Sequence, residues 1–137
     1  MPPPAPLGVI HPVAANPDKT WPATGFLAVA EHLQAAGIEP VFIGAASDDL
    51  SSFARFRVIQ GAPLAEIKTL LHSATLFAGN DSGPAHMAAA FGIPVVAIFS
   101  ASDPEIWGPW RTAHEIVRAP ASTDQVLEAL ARLRVHA

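Results

Sequence analysis

The sequence predicts an α/β fold built on a doubly wound parallel sheet of about six strands. Three observations carry this expectation. Short apolar runs alternate with helix-period segments along the whole chain, the pattern of a parallel sheet covered on both faces and linked by right-handed crossovers. The runs have the length of buried strands rather than of helices. The Gly, Pro, Asp and His residues gather just after these runs, at the carboxyl edge where such sheets bind ligands.

The first strand is Leu7-Gly8-Val9-Ile10, ending at His11-Pro12. A loop over 13–20 leads to Trp21-Pro22, which opens a helix to about Ala36. Within it Phe26, Val29, Ala30 and Leu33 fall at i, i+3, i+4 and i+7 and form one buried face. Gly37 stops that helix. Pro40-Val41-Phe42-Ile43 is the second strand, ending at Gly44. Ser47, Asp48 and Asp49 can cap a short helix through Phe53. Phe56-Arg57-Val58-Ile59 is the third strand. Pro63 opens a helix with Leu64, Ile67 and Leu71 on one side.

The fourth strand, Ala74-Thr75-Leu76-Phe77-Ala78, runs into Gly79-Asn80-Asp81-Ser82-Gly83-Pro84-Ala85-His86 and then a helix closed by Gly92. This is the stretch around which the chain is organised. Asp81 or Ser82 can cap the helix, Pro84 suits its first turn, and the glycines let backbone lie close to a ligand. The unpaired amides and the positive dipole end favour an anion above the turn. A carboxylate, a hydroxyl, amides and an imidazole within one helical turn suit a ligand that is part phosphate and part sugar. Pro94 to Phe99 is the fifth strand and Glu115-Ile116-Val117-Arg118 the sixth. Ser122-Thr123-Asp124-Gln125 then caps a last helix with Val126, Leu127, Leu130 and Leu133 inward.

With 137 residues, half of them hydrophobic, the chain is sized for one domain over 7–137. Residues 1–6, rich in proline, read as a stiff linker and not as a signal peptide. The net charge of −4 disfavours nucleic acid as a partner. Cysteine is absent, which excludes disulfides and thiolate metal sites and fits a reducing cytoplasm. The longest apolar run, near 93–99, falls far short of the roughly 20 residues a bilayer needs.

Each candidate residue has two readings. Lys19, in a strand-to-helix loop, is a solvated lysine or a phosphate clamp. Asp48, after the second strand, is a helix cap or a ribose ligand. His86 is bonded to backbone or faces a ligand, and a helix dipole there favours its neutral form. Trp107-Gly108-Pro109-Trp110-Arg111 is a buried-indole anchor or a wall for a base or sugar ring. The six histidines show no metal-site spacing, and neither a Ser/His/Asp triad nor a Walker-type loop is present.

Three segments together resemble glycosyltransferase family 9, the ADP-heptose:lipopolysaccharide heptosyltransferases and relatives. They are His11-Pro12-x-Ala14-x-x-Pro17-x-Lys19-x-Trp21-Pro22, then Asn80-Asp81-Ser82-Gly83-Pro84-x-His86, then Ser100-Ala101-Ser102-Asp103-Pro104 with Trp107-Gly108-Pro109. They occur in the family's order and span nearly the whole chain.

The resemblance implies the C-terminal, Rossmann-like half of a GT-B fold, which holds a nucleotide-sugar donor of ADP-heptose type. By position, Lys19 would meet donor phosphate, Asp48 the ribose and Asp81 the sugar. Ser82, Gly83 and His86 would line pyrophosphate and sugar. Lys19 and Asp81 are the candidate donor-activating residues, with no catalytic residue assigned firmly. The implied reaction is glycosyl transfer with inversion and without metal, and no cofactor beyond the donor is expected. The implied acceptor is a lipid-linked glycan of the cell envelope, and the implied place is the cytoplasm, including the inner-membrane surface. The N-terminal domain, with the acceptor site and base, is expected to be absent, leaving the chain inactive alone. Val13 stands where the family usually has glycine and Ala15 where a hydroxyl often meets phosphate. The alternatives are therefore a non-catalytic nucleotide-binding module, or a subunit that pairs with a separate N-terminal half or with itself.

Overall fold

The structure is a computed structural model that describes residues 6–12, 23–80, 87–88, 90–99, 114–118 and 123–136. Six strands form one sheet: β1 (Leu7–His11), β2 (Glu39–Gly44), β3 (Arg57–Gln60), β4 (Leu76–Asn80), β5 (Val95–Phe99) and β6 (His114–Arg118). Three helices have described bounds: α1 (Ala23–Ala35), α2 (Leu64–Ser73) and α3 (Thr123–His136). Residues 87, 88 and 90 are also helical.

The strand order is β3-β2-β1-β4-β5-β6 and every described pairing is parallel. The chain starts in the middle, works outward through β2 to β3, then returns to the other side of β1 to lay down β4, β5 and β6. The strand order therefore reverses between β1 and β4. The carboxyl edge at such a switch point is where doubly wound sheets hold ligands.

Alternation along the strands splits the core in two. Ile10, Phe42, Ala78 and Val96 face α1 and α3, where Phe26, Val29, Ala30, Leu33, Val126 and Leu130 are fully buried. Val9, Ile43, Phe77 and Val95 face the other way, onto Leu71, Ala88 and Ile93. The four residues expected on the inner face of α1 are all among those buried. On α2 the expected stripe is graded instead. Leu71 is fully buried, Ile67 is half-buried and Leu64 is 59% exposed, because the first turn of α2 overhangs the carboxyl edge beyond the sheet.

Helix ends follow local chemistry. Gly37 has φ +82°, and the Gly37 and Ile38 amides donate to Gln34 and Leu33 carbonyls at 3.0 and 2.9 Å. This is a Schellman stop, for which glycine tolerates the left-handed conformation. Gly92, at φ +79°, ends the helical segment before β5 in the same way, with Ile93 N–H donating to Ala88 at 3.0 Å.

The expected short helix after β2 is smaller than its sequence suggests. It is a single 3-10 turn over Ser51–Phe53, and neither Ser47 nor Asp48 caps it. Asp49 instead accepts from the Ser51 amide at 3.0 Å and the Ser51 hydroxyl at 2.6 Å. These bonds to Ser51, its hydroxyl first, hold the Asp49 carboxyl below the usual carboxylate range. The turn is anchored from below by Phe53 stacked on Phe42, ring centroids 4.3 Å apart. Arg55 reaches back to pair with Glu31 of α1.

Candidate functional site

The carboxyl edge of β1, β2 and β3 surrounds a cavity of about 400 Å³. Its floor is His11 at the end of β1 and Ile43-Gly44 at the end of β2. Its walls are Ala45 and Ala46 after β2, Gly61 and Ala62 after β3, and Leu64 and Ile67 of α2, with Met87 from the segment after β4. The lining is chiefly aliphatic, and His11 supplies its one ionisable side chain among the described residues.

Small residues make this space. Gly61 sits at φ +66°, and a Cβ added there would come 3.0 Å from the Cβ of Ala46. Two loops from neighbouring strands thus meet flush at the wall. The Gly61 amide donates to the Gly44 carbonyl at 3.0 Å, extending the β2–β3 ladder one step past the strand end. At the crevice itself, Gly79 pairs in register with His11. A Cβ at Gly79 would lie 2.7 Å from the His11 carbonyl oxygen.

Asp48 does not line this cavity but borders a second one with Phe56, Val58 and Gln60, and it does something the sequence does not specify. Its Oδ2 accepts from the Ala45 amide at 2.7 Å, while its own amide donates to the Ala45 carbonyl at 3.0 Å. The carboxylate therefore closes a tight turn onto a cavity-lining residue. Gln60 fastens the same turn from β3. Its Nε2 donates to the Asp48 carbonyl at 2.7 Å and to the Ala45 carbonyl at 3.2 Å.

His11 is half-buried, and burial pushes its imidazole below the ordinary value of 6.5, opposed by attraction to the Asp48 carboxylate. Burial wins, so at neutral pH the cavity floor carries an uncharged ring. That ring can offer one donor and one acceptor.

Of the residues expected in the site, the structure describes Asp48, whose carboxylate holds the turn that carries the wall residues Ala45 and Ala46. Lys19, Asp81, Ser82, Gly83 and His86 lie outside the described residues, as does the Trp107–Arg111 loop. The described ends that flank them converge, since β1 leads into 13–20 and β4 into 81–86 at adjacent positions across the crevice. Sequence reading does not single out Gln60 or the wall residues after β3 and on α2. The one available signal was Gly61-Ala62-Pro63, a small-residue run at a strand end. Among the described residues no cluster of three or more His, Asp or Glu is arranged to hold a metal ion. Nor is any described helix long and apolar enough to cross a membrane.

This arrangement has counterparts. The chain is 36% identical over 113 residues to lipopolysaccharide heptosyltransferase 3 of Escherichia coli, a match covering 74% of this chain and 33% of that protein. It thus spans about a third of the length of that relative. The fold matches a glycosyl transferase family 9 structure from Veillonella parvula with TM-score 0.87 and 23% identity, covering 100% of this chain and 48% of the other. It also matches E. coli heptosyltransferase WaaC with ADP, with TM-score 0.80 and 20% identity, covering 97% and 45%. The sequence profile of glycosyltransferase family 9 (heptosyltransferase) fits residues 3–133. With nearly the whole chain under that profile and the doubly wound sheet that its relatives share, the chain belongs to glycosyltransferase family 9, the heptosyltransferases.

Proposed function

We propose that this chain is the donor-binding part of a heptosyltransferase-like enzyme, and that it holds a nucleotide sugar of ADP-heptose type. The observation that carries the reading is the aliphatic cavity at the carboxyl edge, next to the β1/β4 crevice and walled by the turn that Asp48 closes. An aliphatic slot of about 400 Å³ suits a nucleobase, which gains from leaving water without needing charged partners. The Asp48 carboxylate, bonded to the wall residue Ala45, suits the ribose hydroxyls. The next carboxyl edge, where β4 passes into 81–86, then receives the diphosphate. Family membership supports the same order of parts, and a family structure carries ADP.

On this reading the departing nucleoside diphosphate is stabilised by helix-terminal amides around Ser82 and Gly83 and by the Lys19 ammonium. These charges are oriented in advance of the reaction. Asp81 grips the sugar, and His86 donates to phosphate or sugar oxygen. The transfer inverts the anomeric centre and needs no metal. A lipid-linked glycan acceptor and the base that activates it belong to a partner half, so the isolated chain binds donor without transferring it. The setting is the cytoplasm, against the inner membrane where such acceptors are made.

Isothermal calorimetry with ADP and UDP tests the reading. ADP is expected to bind, and Lys19→Ala to weaken it about 10-fold through loss of one charge-assisted contact. Absence of heat with both nucleotides would overturn it. Addition of a family N-terminal half that restores transfer in the presence of EDTA would support the partner and the metal-free chemistry together.

A further inference from the structure

We infer that Gln60 is a positioning residue for the nucleoside, acting through the turn 45–48 rather than by touching the ligand. The inference rests on the donor-binding reading and adds a determinant to it. Gln60 ends the edge strand β3 and is paired in register with Gly44, the last residue of β2. From there its side chain crosses to the neighbouring loop. Both Nε2 hydrogens are spent on main-chain carbonyls, those of Asp48 at 2.7 Å and Ala45 at 3.2 Å.

Those two residues are the ends of the turn. The Asp48 carboxylate reaches back to the Ala45 amide and the Asp48 amide to the Ala45 carbonyl. The turn is otherwise exposed at 45–47, and Ala46 lies flush against Gly61. One surface amide thus joins both ends of a loop that carries two cavity-wall residues and the carboxylate beside them. A surface glutamine with no such task would keep its amide in water, where it has every partner it needs.

The physical effect is on population. A loop that is closed only part of the time lowers apparent affinity by the fraction closed. The two hydrogen bonds from Gln60 set that fraction. Gln60→Leu, which keeps the size and removes the donors, is therefore expected to raise the ADP dissociation constant about 10-fold. It is also expected to speed amide exchange at Ala45 and Asp48 by a similar factor. Exchange at Phe77 in the core should stay unchanged. Gln60→Lys returns donors at a similar reach and should recover most of the affinity. Arg57→Ala, which breaks the exposed pair with Glu39 at the start of the same strand, should leave ADP binding alone.

The 137-residue chain serves for all of these. ADP binding by Gln60→Leu equal to that of the unsubstituted chain would overturn the inference alone. So would a loss matched by faster exchange at Phe77, or one that Gln60→Lys fails to recover. Failure of the unsubstituted chain to bind ADP would overturn the donor reading, and this inference with it.

Discussion

Gly79 and His11 face each other across the switch between β1 and β4, so closely that a Cβ on Gly79 would sit 2.7 Å from the His11 carbonyl and 3.1 Å from its Cβ. The switch point of the doubly wound sheet lies here, and the glycine lets β1 and β4 stay paired as far as His11 and Gly79. Gly79→Ala must push strand backbone, not a flexible side-chain tip. It is expected to cost about 2 kcal/mol, the usual scale of overpacking, read by urea denaturation. Nucleotide affinity should fall further than the global loss explains, because the displaced atoms belong to the cavity floor.

His11 gives a pH dependence whose sign follows from its environment. Burial lowers its pKa below 6.5 in the fold, with Asp48 opposing. The unfolded chain therefore binds the proton first as pH falls, and stability is lost going down from about pH 6.5 toward the lower folded value. Above 6.5 the contribution is complete. His11→Gln should flatten that part of the stability profile relative to the unsubstituted chain, measured by thermal unfolding between pH 5 and 8. A difference profile that does not slope would show that the ring is not held neutral.

Asp48 has two roles that can be separated. Its Oδ2 closes the turn on Ala45, and the proposed second role is to accept from ribose. Asp48→Asn keeps an acceptor for the Ala45 amide, whereas Asp48→Ala keeps none. Both should lose discrimination between ADP and its 2′-deoxy analogue. Asp48→Ala should also weaken ADP itself by at least about 10-fold, in line with roughly 1.5–3 kcal/mol for a lost hydrogen bond to a charged group. Equal preference for the two nucleotides in the unsubstituted chain would remove Asp48 from the ribose.

The cavity offers a size test. Ala62 and Leu64 line it, and Leu64 is 59% exposed. Ala62→Phe should fill space that a purine would occupy, so ADP affinity should drop more than UDP affinity in parallel titrations. Leu64→Ala should weaken ADP about threefold through lost apolar contact while costing little stability, because in the free chain that side chain is already in water. A Leu64→Ala variant that unfolds readily would mean the residue supports the core instead.

All six strands and the helices that cover them were legible from periodicity, because a buried parallel strand and an amphipathic helix write different repeats. The stripe Phe26, Val29, Ala30 and Leu33 and the stop at Gly37 are read directly from spacing and one residue type. The grading along α2 was not legible. Leu64, Ile67 and Leu71 obey one helical rule whether they face a core or a vacant slot, and only the sheet's edge decides between them. Asp48 shows a second limit. Its residue type fits a cap, a ribose ligand or a turn closure equally, and its bond to Ala45 follows from how the loop lies against Gly61 and Gln60. Gln60 itself is invisible in a linear reading, since its partners are 12 and 15 residues away. The stretch that the sequence offers as an anion site is described only at Gly79 and Asn80, and its residues 81–86 lie outside those described.

The shared core of α1 and α3 has a consequence for synthesis. A nascent chain can assemble the layer formed by α2 and the segment after β4 once β5 has left the ribosome. The opposite layer waits for α3, because Val126 and Leu130 complete the wall that Phe26 and Leu33 begin. Until then α1 presents an uncovered greasy stripe, and chaperone dependence should track the presence of α3 rather than overall length.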